Sequence, residues 1–175
     1  MTEREIFEIE NTRPHVVILG AGATIATIPN GDKNGNPCSV MHGFIHNLGL
    51  DTILATVKLN TKSENIEDIY SELYERGDEC KAVREQLEEA IFSYLSRLEL
   101  PAEITVYDEI ILALTQKDMI ATFNWDPLLI QAYNRARKLT TNLPKLTFLH
   151  GNVAAGYCER CGHFGALQRV KCDNC

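Results

Sequence analysis

Apolar residues along the chain follow two alternating patterns. Short unbroken runs, Val16-Val17-Ile18-Leu19, Met119-Ile120-Ala121-Thr122-Phe123 and Leu146-Thr147-Phe148-Leu149, have the length and β-branched content of buried strands. Between them apolar positions recur at helical spacing. Ile66, Ile69, Tyr70 and Leu73 form one stripe, behind a capping pattern that begins at Ser63. Val83, Leu87, Ile91, Tyr94, Leu95 and Leu98 form a longer one, ending before Pro101, with Arg84, Glu85, Glu88 and Glu89 on the opposite face. Further helices are expected over 41–48, closed by Gly49, over 107–115 through Ile110, Ile111 and Leu114, and from Asp126-Pro127 to about Leu139. Residues 1–14 read as an exposed lead-in closed by Pro14. Strands alternating with helices predict an α/β fold, a parallel sheet with helices on both faces and a helical insert over about 63–100. The insert carries no evident chemistry, and packing or a subunit contact accounts for its Tyr and Leu residues.

Three polar clusters follow the three strands directly. Gly20-Ala21-Gly22-Ala23-Thr24 is a glycine turn; Gly20 permits the bend and Gly22 lets a ligand approach the backbone. A helix starting near Thr24 would turn its free N–H groups toward a phosphate there. The third glycine of the dinucleotide fingerprint is replaced by Ile25, so a bare strand–turn–helix is an equally open reading. Residues 28–37, dense in Pro, Asn and Gly, form a loop beside this turn, either a cover for a ligand or plain surface. Asn124 and Asp126 follow the second strand: Asn can orient a water, and Asp can hold a sugar hydroxyl or simply cap the helix. Trp125 is expected in the core. His150, backed by Gly151, follows the third strand, either as a general base, since histidine titrates near neutrality, or as a structural residue. In parallel sheets ligands bind beyond the carboxyl ends of the strands, where all three clusters lie.

Composition narrows the classes. With 175 residues the chain can bury roughly 70% of its unfolded surface in one core. A net charge of −7 disfavours direct nucleic-acid binding, and Arg135, Arg137 and Lys138 read as a solvated helix face. No apolar run reaches the ~18–20 residues of a membrane span, and the acidic start lacks a signal-peptide core, so a cytoplasmic protein is expected. Of six cysteines, four form Cys158-x-x-Cys161 and Cys172-x-x-Cys175, spaced to offer four thiolates to a structural zinc, with redox thiols as the alternative. His163 could replace one thiolate; a surface role suits it better. Cys38 and Cys80 read as ordinary thiols.

In this order, the glycine loop, Thr122-Phe123-Asn124-Trp125-Asp126, His150-Gly151 and the paired knuckles resemble the sirtuin family. The resemblance implies a Rossmann-like NAD-binding domain over 15–156 and a zinc-ribbon lobe over 157–175. It implies that Gly20, Ala21, Gly22, Ala23 and Thr24 contact the NAD phosphates. Asn124 and Asp126 then line the nicotinamide-ribose pocket, Thr122 is a further cofactor contact, and His150 and Asn124 are catalytic.

Deacylating sirtuins carry Gly-Ile-Pro-Asp-Phe-Arg after the first loop, whereas this chain has Thr27-Ile28-Pro29-Asn30-Gly31-Asp32, and Phe123 replaces a Gln. The pattern is more similar to divergent bacterial sirtuin-like proteins of antiphage defence that hydrolyse NAD to ADP-ribose and nicotinamide. NAD hydrolysis is therefore the expected activity; lysine deacylation and an inactive nucleotide-sensing module are the alternatives. A second copy of the chain or a defence-system protein is the expected partner. Sirtuin-like sheets continue beyond the knuckles, so the resemblance implies a chain truncated at its C-terminus, with part of the NAD pocket and some activity lost.

Overall fold

The computed structural model describes residues 1–38, 43–158, 160–162 and 164–166. The lead-in forms a helix, α1 (Glu3–Thr12), with residues 1–7 exposed. Its start is a capping box: Thr2 accepts from the Glu5 backbone N–H while Glu5 accepts from the Thr2 N–H at 2.7 Å. Then come β1 (Val16–Leu19) and α2 (Ala21–Thr27), the latter starting three residues earlier than the glycine turn suggests. The helical region opens with α3 (Phe44–Asn47) and α4 (Asp51–Leu54), ahead of α5 (Ile66–Glu75), a 3-10 turn (Gly77–Cys80) and α6 (Lys81–Leu95). Residues 41 and 42 of the expected 41–48 helix lie outside the described residues. Asn65, not Ser63, caps α5, accepting from the Glu67 N–H at 2.9 Å; Ser63 instead accepts from the Asn65 N–H and donates to Asp68. These helices enclose a core of their own around Leu50, Ile66, Leu73 and Leu87.

The chain returns through α7 (Val106–Ala113), β2 (Met119–Thr122), α8 (Leu128–Ala136) and β3 (Lys145–Phe148), and ends in an antiparallel pair, β4 (Ala155–Tyr157) and β5 (Phe164–Ala166). Strands β1, β2 and β3 pair in parallel in that spatial order, with Val17, Ile120 and Leu146 in one row and Leu19, Thr122 and Phe148 in another. Those rows share one face, since side chains alternate along a strand. Tyr107 and Ile111 of α7 and Leu128 and Ala132 of α8 cluster with them as the main core. The molecule is thus a mixed α/β fold with a small parallel sheet flanked by helices, consistent with a Rossmann-like arrangement.

Strand β1 departs from the buried strand its composition suggests. It lies at the edge of the three-stranded sheet, and Val16 and Ile18, on the face away from the main core, are 62% and 67% exposed. Among the described residues no helical cover lies over those two side chains, although the sequence pattern predicts helices on both faces. An all-apolar run reports that a strand can be buried on both sides, not that both sides are covered.

Arg135 also departs from expectation. It is half-buried and clamps α8 to α7: its Nε donates to Asp108 Oδ1 at 2.8 Å, and its Nη1 to the Pro101 carbonyl at 2.7 Å. Asp108 in turn receives the Thr105 N–H and hydroxyl in the cap of α7. Arg137 and Lys138 are exposed, as the charge pattern suggests.

Asp118 fastens the opposite end of the sheet from the polar clusters. Burial alone would raise its carboxyl, but hydrogen bonds from the His15 backbone and ring and from the Thr115 backbone and hydroxyl outweigh it. The net effect holds the group well below the usual carboxylate range. A carboxylate depressed on folding adds stability that is complete above the unfolded pKa of about 3.9 and is lost as pH falls toward the folded value. Urea midpoints measured from pH 7 to pH 3 should therefore fall more steeply for the wild type than for Asp118→Asn.

Candidate functional site

The polar clusters meet at the carboxyl ends of the three parallel strands. Strand β1 stops at Leu19 because Gly20 caps α2 with an extended backbone, φ −119° and ψ −172°. At Gly20 and Gly22 an added Cβ would meet no atom within 4 Å, so among the described residues nothing fills the space it would enter.

Beneath the turn lies a closed hydrogen-bond network. Thr24, buried inside α2, donates its hydroxyl to Asp126 Oδ2 at 2.7 Å. It accepts from Asn124 Nδ2 at 2.8 Å and shares a bond of 2.9 Å with the Tyr107 hydroxyl. With the Thr24 hydrogen committed to Asp126, the Tyr107 O–H is the donor in that last bond. Asn124 Nδ2 also reaches the Gly20 carbonyl at 2.9 Å and the Tyr107 oxygen at 3.1 Å. The Asn124 side chain therefore bridges the end of β2 to the turn after β1, while its own N–H is held by Thr122 Oγ1 at 3.0 Å.

Asp126 serves two elements. Its Oδ1 accepts from the Leu128 N–H at 3.0 Å, capping α8 as an Asp before Pro should, and its Oδ2 holds Thr24. Burial pushes its carboxyl above the ordinary range, only partly offset by those bonds. Burial and the neighbouring Asp126 also push the Tyr107 hydroxyl up to about 12, so Tyr107 is a neutral donor at physiological pH. The Cys38 thiol is raised to about 12 in the same way, in keeping with an unreactive thiol.

Thr24 and Asp126, placed by sequence in contact with a ligand, thus face each other below the turn. Tyr107 was not singled out by sequence. Its only signal was a hydroxyl on the otherwise apolar stripe of α7.

His150 stands beyond β3, exposed, its ring 5.1 Å from that of Phe123 in an edge-on contact. It lines a cavity of about 600 Å³ with Trp125, Asn152 and Val153 on the sheet side and Ile66, Tyr70, Glu88 and Phe92 on the helical side. Trp125 both packs on the main core and faces this cavity. Asn152 joins the strand ends, donating to the Asp126 carbonyl at 2.6 Å.

The loop over 28–37 is tied down. Asp32, buried, accepts from the N–H groups of Asn34 and Asn36 at 2.9 and 2.8 Å and from the Glu99 N–H at 3.0 Å, and the Lys33 N–H donates to the Glu99 carbonyl. Tyr94 donates to the Pro37 carbonyl. The loop is therefore fastened to the segment after α6.

Of the four cysteines expected to bind zinc, Cys158 and Cys161 sit in the turn joining β4 to β5, where the Gly162 N–H reaches the Cys158 carbonyl at 2.8 Å and Gly162 adopts φ +72°. Cys172, Cys175 and His163 lie outside the described residues. Among the described residues no group of three or more potential ligands could hold a metal ion, and no helix is long and apolar enough to cross a membrane.

Fold and site together define an α/β protein whose parallel strand ends gather a buried polar network and an adjoining apolar cavity. No family model and no curated protein matches the chain.

Proposed function

We propose that this chain carries the NAD-binding sheet of a sirtuin-like NAD hydrolase. The observation that carries the reading is the Asn124 bridge: one side chain joins the Gly20–Thr24 turn to the Asn124–Asp126 cluster, with His150 at the next strand end. The open space over Gly20 and Gly22 suits the pyrophosphate, contacted through the backbone of Ala21 and Gly22, since the Thr24 hydroxyl is committed to Asp126. Asn124 spends its Nδ2 inward, so its Oδ1 is the atom to orient an attacking water; His150 would take the proton. As the nicotinamide–ribose bond breaks, positive charge develops on the ribose, which the Asp126 carboxylate and the backbone carbonyls at the strand ends would stabilise. Cys158 and Cys161 would supply two thiolates of a structural zinc site and Cys172 and Cys175 the other two; four thiolates would hold structure and leave no position for water.

The test is nicotinamide release from NAD, with and without an acetylated peptide. Release without peptide supports hydrolysis, strict peptide dependence would make the protein a deacylase, and no release in either would leave a nucleotide-sensing module. Gly22→Ala separates binding from folding. Its Cβ enters open space within a helix, so stability should rise by about 0.5–1 kcal/mol while NAD affinity falls, read by thermal melting and calorimetric titration.

A further inference from the structure

The cavity beside His150 has a chemistry of its own. Its walls are apolar and aromatic: Ile91, Phe92 and Leu95 from α6 face Trp125 and Val153 from the sheet side. About 600 Å³ lies within the range of small-molecule sites. Its acidic groups are two carboxylates, and its one basic lining group among the described residues is the His150 imidazole. Glu67 and Glu88 line it, both exposed toward solvent, and no Lys or Arg appears among the described residues that do. Glu88 is held by the Tyr70 hydroxyl, which fixes its carboxylate at the cavity. That bond, with burial adding to it, raises the Tyr70 hydroxyl to about 12 and so keeps it a donor to Glu88.

Aromatic faces with carboxylates at the mouth are the combination that favours an organic cation. The rings attract positive charge through their quadrupoles and the carboxylates complement it, while an anion would meet repulsion from both. A purely apolar ligand would gain the walls and nothing from the acids. We infer that the cavity formed by α5, α6 and the Trp125 and His150 strand ends binds a small organic cation with an aromatic body. The inference stands apart from NAD turnover, because binding alone tests it.

Trp125 is the only tryptophan in the chain, so its fluorescence reports on this cavity. Benzyltrimethylammonium is expected to quench it saturably, and benzyl alcohol and benzoate, which share the ring, to bind at least tenfold more weakly. The double variant Glu67→Gln/Glu88→Gln alters exposed side chains and should fold normally. It should weaken the cation about tenfold and leave benzyl alcohol unchanged. Absence of saturable quenching, equal binding of the cation and benzyl alcohol, or a double variant that binds the cation as well as wild type would each overturn the inference.

Discussion

Replacing His150 by alanine is expected to lower nicotinamide release by about 10²–10⁴-fold, the usual contribution of a positioned general base. The same change should leave folding almost untouched. The imidazole is exposed, and its ring contact with Phe123 is worth at most about 0.5–1.5 kcal/mol. Loss of turnover with a nearly unchanged melting curve would therefore locate His150 in the chemistry. Measuring kcat and KM separately sharpens the result. A base acting on the attacking water lowers kcat at constant KM, whereas a residue that merely shapes the cavity raises KM. Wild-type rates in His150→Ala would reject the assignment, whatever the activity proves to be.

The order of strands and helices was legible because it rests on local periodicity. Runs such as Met119–Thr122 and stripes such as Ile66, Ile69 and Leu73 keep their pattern in any context, and each becomes the element it predicts. The placement of polar clusters at strand ends follows from the same order. What escaped depends on distant partners. Thr24 reads as a ligand contact because it follows a glycine turn; it turns inward because Tyr107, 83 residues away, and Asp126 wait beneath it. Arg135 reads as solvated because its neighbours in sequence are, yet Asp108 and the Pro101 carbonyl draw it into the interface of α7 and α8. The exposed edge of β1 escaped for the complementary reason: apolar composition records what a face tolerates, and only its neighbours decide whether it is covered. Helix α1 was different: its capping box from Thr2 to Glu5 is local and present in the sequence, but the segment is acidic and only weakly apolar, so no strong stripe marks it.

The largest loss of stability is expected at Asp126. Alanine there strips the cap from α8 at the Leu128 N–H, costing about 0.5–2 kcal/mol, and leaves the buried Thr24 hydroxyl without its acceptor, costing about 1–3 kcal/mol more. The two sum to roughly 2–4 kcal/mol after partial relaxation, readable as a shift in urea midpoint at unchanged slope. If the network acts as a unit, Thr24→Val and Asp126→Ala should not add: each removes the same bond, so the double variant should fall short of the sum by about 0.5–3 kcal/mol. Asp126→Asn distinguishes cap from charge. Its Oδ1 can keep the Leu128 bond, but its amide would face a Thr24 oxygen that already accepts from Asn124 and Tyr107. Its cost should thus be real but smaller than that of alanine. The pH dependence carries the sign of burial. Because folding raises the Asp126 pKa, the folded state binds the proton more tightly, and ionisation weakens it. Relative to Asp126→Asn, whose side chain does not titrate, the wild type should gain stability as pH falls through the folded pKa toward the unfolded value of about 3.9. Asp118 pulls the other way in the wild type, so the comparison belongs between these two proteins, where its contribution is shared. A difference that shrank on acidification would show that the carboxylate is better solvated than its burial implies, and that Thr24 does not depend on it for its place under the glycine turn.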